Sequence, residues 1–157
     1  MADIFRCRLN WSGAAGGPAV EATTFSRDLN VAFEGGPALA MSAAPGYRGD
    51  PSRANPEQLL VASLSACQAL TYLYLAARAG VGIAGYTDEA EGRLGLVEGR
   101  LRLSRVTLRP TIVLVPGADE ARARALVEQA HGDCFIANSV LTAVVIEPTF
   151  RSSSASA

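Results

Sequence analysis

The chain has 157 residues, a formal net charge of −1 and 14 basic residues, all of them arginine. This length suits one domain with its own core, and the absence of a basic cluster excludes the electrostatic attraction typical of nucleic-acid binders and of proteins on anionic membranes. Three widely spaced cysteines do not form the framework of a secreted disulfide-rich protein. We therefore expect a cytoplasmic protein with one domain over residues 1–150 and a disordered tail over residues 151–157.

The first part of the chain predicts an antiparallel β-meander. Apolar and polar residues alternate over residues 3–11, as in a half-buried strand, and two more strands are predicted over residues 20–26 and 29–34. The turn between the last two falls near Arg27. Cys7 lies on the apolar face of the first strand, so we expect it to be a small core residue, as free cysteines usually are.

A long helix is predicted over residues 55–80, after a loop at residues 35–54. Asn followed by Pro starts a helix, and Gly-Val-Gly stops it. No charged residue occurs between Glu57 and Arg78. A helix without a charged face must be covered on most sides by protein or by lipid. Serine, threonine and glutamine recur along it and no arginine asymmetry flanks it, so we favour a core helix over a membrane span.

The rest of the chain predicts further strands and one more helix, and the fold class is therefore α+β. A Glu-Gly pair at residues 98–99 indicates a β-hairpin, and Pro110 in its second strand indicates an edge strand or a bulge. The predicted elements are strands over residues 83–97 and 101–115, a helix over residues 118–131 and a strand over residues 142–149.

Cys67, near the middle of the long helix, is a candidate nucleophile. The thiolate is the reactive form of cysteine, and an apolar helix interior disfavours it unless a cation lies nearby. The nearest arginine on the helix is Arg78, which is eleven positions away, or about 16 Å along the axis. A partner must come from another segment, and Arg27 and Arg53 are the candidates.

Glu57 at the helix start has two interpretations. A carboxylate there stabilises the positive end of the helix dipole. It would alternatively hold an arginine in place for Cys67. Ten residues place the two about 15 Å apart along the axis and roughly 80° apart around it, so they do not touch on one straight helix. An arginine has to bridge them, or a second subunit contributes to the site.

Cys134, three residues after the only histidine, His131, has several interpretations. It is a metal ligand together with His131 and a carboxylate, or a thiol that closes a disulfide with an oxidised Cys67. One histidine without a Cys-x-x-Cys pair gives little support for zinc. The disulfide is the more economical chemistry, but the sequence does not place two cysteines 67 positions apart in contact.

Two motifs resemble those of the OsmC/Ohr family, the osmotically inducible and organic hydroperoxide resistance proteins. The first is NPEQLL at residues 55–60 with LSAC at 64–67, and the second is AHGDC at 130–134 with IANS at 136–139. The resemblance covers essentially the whole chain and is closest to the OsmC-like branch. It implies an OsmC-like α+β fold, with an N-terminal antiparallel β-meander, a long buried central helix carrying the first cysteine, further strands and a second helix.

The resemblance also implies a reaction and an assembly. By analogy Cys67 is the peroxidatic thiol, Cys134 is the resolving thiol and Glu57 orients an activating arginine. The family forms intertwined homodimers with both active sites at the subunit interface. No metal or cofactor is expected, nor any nucleic-acid or membrane partner.

The chain departs from the family pattern at two points. Pro18 and Ala32 stand where members of the family place the activating arginine. Arg27 is our predicted substitute, with Arg53 in reserve. The second departure is Gln68, where relatives commonly have histidine or phenylalanine, and this changes the polarity beside the thiol.

The expected function is thus a thiol peroxidase that reduces organic hydroperoxides, and hydrogen peroxide less readily, with an external dithiol as reductant. Apolar side chains favour the organic substrate; these are Leu59, Leu60, Leu64, Leu70 and Phe135. The alternatives are a non-catalytic binding or redox-sensing dimer of the same fold, favoured by the displaced arginine and by Gln68, and a purely structural dimer.

Overall fold

A computed structural model describes residues 3–153, and the chain divides into two compact units whose boundary lies between Leu59 and Leu60. The first unit holds three short strands, and the second holds six strands and two helices, the longer of which begins before the boundary. The predicted α+β class is confirmed.

The first unit is the predicted three-stranded antiparallel meander, but its third strand is not the expected one. The strands, in spatial order, are β1 (Cys7–Trp11), β2 (Leu29–Phe33) and β3 (Ala38–Met41). β3 lies in the segment that we expected to be a loop. The predicted strand over residues 20–26 is wrong, because the backbone there turns on itself and the N–H groups of Thr24 and Phe25 both donate to the carbonyl of Glu21.

The predicted burial of Cys7 is also wrong. β1 is an edge strand, and Cys7 and the three residues after it are exposed. Alternation of apolar and polar residues indicates a strand but does not by itself supply a layer that covers the apolar face. Phe5, which we placed on the same face, is 92% exposed.

The long predicted helix is confirmed as α1 (Pro56–Arg78). Its start is a reciprocal capping box: the Gln58 N–H donates to Asn55 Oδ1 (2.9 Å) and the Asn55 N–H donates to Gln58 Oε1 (3.0 Å). Its end is followed by Gly80 at a φ of +70°, a conformation that glycine adopts without strain. Local sequence signals therefore set both ends of this helix.

The two long strands predicted after α1 are each broken into two. The hairpin at residues 98–99 is confirmed, with Glu98 and Gly99 at φ of 50° and 75°, as a two-residue turn with both residues left-handed requires. The breaks send each half into a different sheet. The four strands are β4 (Ile83–Asp88), β5 (Glu91–Val97), β6 (Arg100–Leu108) and β7 (Pro110–Leu114).

The C-terminal segment completes both sheets. The predicted strand over residues 142–149 is two strands, β8 (Ala143–Ile146) and β9 (Thr149–Ser152), which pair in parallel with β6 and β7. The sheet orders are β4-β7-β9 and β5-β6-β8. β9 runs two residues into the expected tail, and residues 154–157 lie outside the described residues.

Pro110 is neither on an edge strand nor at a bulge, so that prediction is wrong. It is the first residue of β7, which is the central strand of its sheet. A proline is accommodated at this position because the first residue of a strand need not donate to the ladder.

The core of the second unit forms around one stripe of α1. The stripe is the run of fully buried residues at a spacing of four, Leu64, Gln68, Tyr72 and Ala76. Its C-terminal half packs on β7 and on α2 (Glu120–Asp133), and Leu64 packs with Val106 and Leu108 of β6. Asp119 caps α2 by accepting the Arg122 N–H at 2.9 Å. Gln68 is thus the one polar member of an otherwise apolar and aromatic stripe.

The opposite side of α1 is exposed and carries no charge through its middle. Leu70 is 69% exposed and Tyr74 is 59% exposed. Among the described helices α1 alone is long and apolar enough to span a membrane by length and composition. Core helices of soluble proteins meet the same two conditions, and the buried stripe packs on protein.

Candidate functional site: the Cys67–Cys134 thiol pair

Cys67 lies between buried and exposed positions of α1. It is one residue before Gln68 of the buried stripe and one after the exposed Ala66, and it is half-buried. A thiol at such a position is held by a rigid helix and is still open to a small molecule. Cys7, in contrast, is exposed on a strand edge.

Cys134 is the residue that follows α2, and it is buried, with 1% of its surface exposed. Its N–H donates to the carbonyl of His131, and its carbonyl accepts the Asn138 N–H at 3.0 Å. Its Sγ accepts the Ala137 N–H at 3.4 Å. The end of α2 and the short helical turn after it therefore fix this thiol.

The structure brings the two thiols together, although they are 67 positions apart in sequence. Burial raises the pKa of the Cys134 thiol, and the neighbouring Cys67 thiol raises it further, against a smaller opposing effect of the Ala137 N–H. Both cysteines are free thiols. The pair combines a half-buried thiol with a buried thiol whose protonated form is favoured.

Two polar contacts hold the middle of α1 and were not foreseen from the sequence. The Ser65 hydroxyl donates to Asp88 Oδ2 at 2.5 Å, and Oδ1 of the same carboxylate accepts the Arg109 N–H at 2.7 Å. On the buried side, Gln68 Nε2 donates to the Val127 carbonyl of α2 at 3.2 Å. The partners are more than twenty residues apart in each case, so no local pattern pointed to them.

The predicted arginines each have partners within the first unit. The Arg27 guanidinium donates to the carbonyls of Phe25 and Ala22 and lies 4.0 Å from the centroid of the Phe25 ring. Arg53 pairs with Asp50 at 3.3 Å and with Asp28 at 3.7 Å.

Glu57 has a buried Oε2 with no hydrogen-bond partner among residues 3–153, and no ion pair joins it to an arginine of that range. Its role and that of Arg27 remain predictions. His, Cys, Asp and Glu side chains of the same range form no group of three or more that could hold a metal ion.

Comparisons with known proteins identify the family of this fold. The family model described as OsmC-like protein matches residues 49–149. The chain belongs to the OsmC-like family. An OsmC-like protein of unknown function from Vibrio cholerae is 30% identical, with a TM-score of 0.87 over 94% of this chain and 100% of that one. A search of the curated proteins gives no match.

More distant members of the family share the fold. An organic hydroperoxide resistance protein from Legionella pneumophila is 20% identical, with a TM-score of 0.70 over 96% of this chain and 98% of that one. One from Elizabethkingia anophelis, with thiocyanate bound, is 23% identical, with a TM-score of 0.69 over 98% and 100%. The predicted membership of this family is confirmed.

Proposed function

We propose that the protein is a thiol peroxidase that reduces organic hydroperoxides in the cytoplasm through Cys67 and Cys134. The observation that carries the proposal is the contact between a half-buried thiol and a buried, protonated one. Two neighbours of the same fold are named organic hydroperoxide resistance proteins, which supports the substrate class.

The reaction begins at Cys67. Its thiolate attacks the terminal oxygen of the hydroperoxide, the O–O bond breaks, and the alkoxide leaves and takes a proton to become the alcohol. Cys67 is then a sulfenic acid. A sulfenic acid condenses with a neighbouring thiol, so Cys134 attacks its sulfur, hydroxide leaves with the Cys134 proton as water, and a disulfide forms. An external dithiol reduces that disulfide and regenerates both thiols.

The apolar residues expected to favour an organic substrate differ in their exposure, and Leu59 and Leu60 are half-buried. Leu64 is 1% exposed and packs in the core, so it is removed from the substrate-facing set. Leu70 on α1 and Phe135, next to Cys134, are 69% and 82% exposed. We assign these two side chains to substrate contact, since an exposed apolar side chain beside the thiol pair favours an alkyl or aryl hydroperoxide over hydrogen peroxide.

A homodimer is part of the proposal. The exposed side of α1 is free of charge from Ala62 to Ala77 and includes three large side chains, which are Leu70, Leu73 and Tyr74. A contiguous apolar helix face of this kind is typical of a subunit interface. A second copy of the chain would supply the cover that the sequence predicts for this helix and would border the Cys67 site.

The activating cation in this proposal is Arg27, with Arg53 in reserve. To act, Arg27 has to release the carbonyls of Ala22 and Phe25 and bind the Glu57 carboxylate and the Cys67 thiolate. The buried Oε2 of Glu57, which has no partner among residues 3–153, is the acceptor for such a guanidinium.

The second candidate function is a non-catalytic binding or redox-sensing dimer. The hydrogen bonds of Arg27 to the carbonyls of Phe25 and Ala22 favour this second function, because an arginine held by them does not activate the thiol. A thiol without a neighbouring cation reacts slowly. One equivalent of peroxide separates the peroxidase from a binding protein by intact mass, and repeated turnover with a reductant separates it from a redox sensor. A peroxidase loses two hydrogens as Cys67 joins Cys134, whereas a binding protein keeps its mass.

The decisive experiment is consumption of cumene hydroperoxide with dithiothreitol as reductant. We expect Cys67→Ser to abolish turnover. The matched control is Cys7→Ser, which removes an exposed cysteine outside the pair and should leave turnover unchanged. Full activity of Cys67→Ser would refute the peroxidase.

A further inference from the structure

We infer that Gln68 is a positioning residue that sets the separation of the Cys67 and Cys134 thiols by joining the helices that carry them. The inference rests on the proposed function, in which these thiols form a disulfide. The inference is based on one contact. The buried amide of Gln68, which follows Cys67 in sequence, donates a hydrogen bond to the helix that Cys134 follows.

Packing alone does not favour a glutamine at position 68. It is 2% exposed, and its neighbours in the buried stripe are Leu64 and Tyr72. Its Nε2 has a partner, but its Oε1 is buried without one among residues 3–153. A buried amide that satisfies half of its hydrogen-bonding capacity destabilises a core relative to an apolar side chain of equal volume. A benefit other than stability is therefore needed to explain it.

The partner of Gln68 connects it to Cys134. Val127 lies on α2 seven residues before Cys134, which is two turns of helix, or about 10 Å along the axis. α2 continues unbroken to Asp133, and the Cys134 N–H donates back to His131. Fixing the Val127 carbonyl along α1 thus fixes where α2 presents the Cys134 thiol.

No other contact between the two helices has this directional character. Among residues 3–153, Gln68 makes the only side-chain hydrogen bond that joins α1 to α2. The two helices also contribute apolar side chains to one buried cluster, which includes Tyr72 and Ala76 of α1 and Val127 and Ala130 of α2. Apolar packing has no preferred direction, whereas a hydrogen bond requires a defined distance and angle. The amide therefore fixes the position of α2 along α1, which the apolar contacts do not fix.

The test compares Gln68→Met with Tyr72→Phe, both in a Cys7→Ser background that leaves only the two thiols of interest. Methionine keeps the volume of glutamine and removes the hydrogen bond. Tyr72 is the matched control, because it lies one turn along the same stripe and its hydroxyl has no partner among residues 3–153. The effective concentration of the thiol pair is measured by equilibration with reduced and oxidised glutathione, and the unfolding midpoint is measured in urea with the thiols reduced.

We expect Gln68→Met to lower the effective concentration about tenfold or more, as misplaced reacting groups do, with an unfolding midpoint no lower than that of the parent. Tyr72→Phe should leave the effective concentration unchanged. A value for Gln68→Met equal to that of the parent overturns the inference, and so does a fall that is matched by a loss of stability, since this would mark Gln68 as a packing residue.

The glutathione equilibrium involves no peroxide, so it is independent of hydroperoxide turnover. A parent protein that forms the disulfide with glutathione but does not consume cumene hydroperoxide refutes the proposed function alone. A parent that consumes the hydroperoxide while Gln68→Met keeps its effective concentration refutes the positioning role alone.

Discussion

The thiol of Cys67 in the middle of α1 lies beside the buried thiol of Cys134, the residue that follows α2. The two cysteines belong to different parts of the chain, since Cys67 lies on α1 and Cys134 follows α2. Packing of two helices against the sheets creates the pair, and the same packing protects one of its members from solvent. The predictions below follow from this arrangement and from the elements around it.

Removal of the resolving thiol should change the fate of Cys67 rather than its first oxidation. With Cys134→Ser we expect peroxide to add oxygen to Cys67 and to continue to the sulfinic acid, because no thiol traps the sulfenic acid. Intact mass after stepwise addition of peroxide measures this as a gain of two oxygen atoms. A parent protein that shows the same gain instead of a disulfide would contradict the resolving role.

Stability should fall as the pH rises through the alkaline range. Burial, and then the neighbouring Cys67 thiol, raise the pKa of Cys134 above that of an unfolded thiol, which is about 8.5. Between these two values the folded state keeps a proton that the unfolded chain has lost. The contribution of the Cys134 proton to the free energy of unfolding is thus complete below about pH 8.5. It is lost as the pH approaches the pKa that Cys134 has in the folded state.

Urea unfolding of the reduced protein between pH 7.5 and 9.5 checks this, with Cys134→Ser as the control that should show a shallower decline. The window ends below the tyrosine range, since burial raises the pKa of Tyr72 to about 12 and the ordinary tyrosine value is about 10. Parallel curves for parent and variant would show that Cys134 does not contribute.

A charge on the exposed side of α1 should dissociate the dimer. Leu70→Glu places a carboxylate in the proposed interface, and an uncompensated buried charge costs several kcal/mol, which raises the dissociation constant about a hundredfold or more. Light scattering over a dilution series measures it. Gln129→Glu, which adds the same charge at an exposed site of α2, should leave the dimer intact. A monomeric parent would refute the interface.

Arg27→Ala should slow formation of the Cys67 sulfenic acid by about ten- to a hundredfold, because the thiolate loses its cation. Arg27→Lys should recover only part of the rate, since a lysine cannot bind carboxylate and thiolate together as a planar guanidinium does. Stopped-flow measurement of peroxide consumption in single turnover isolates this step. Arg53→Ala is the control. The opposite order of effects would transfer the role to Arg53, and an unchanged rate in both variants would show that neither arginine activates Cys67.

Local signals in the sequence determined the features that depend on a few neighbouring residues. Asn55 and Gln58 begin α1, Gly80 follows its end, and Glu98 with Gly99 makes the hairpin turn. Each is set by hydrogen bonds or backbone preferences within a few positions, so a pattern in the chain suffices to predict it. The two cysteine motifs likewise sufficed to identify the family.

Only the tertiary structure decided what depends on distant segments. The alternation around Cys7 predicted a strand correctly but not its exposure, because whether a face is covered depends on what packs on it. The third strand of the meander came from residues 38–41 rather than from residues 20–26, since pairing with β2 outweighed local β-propensity. The meeting of Cys67 with Cys134 and the bond from Gln68 to Val127 arise in the same way, because no local pattern encodes a contact that two helices make only once they are packed together.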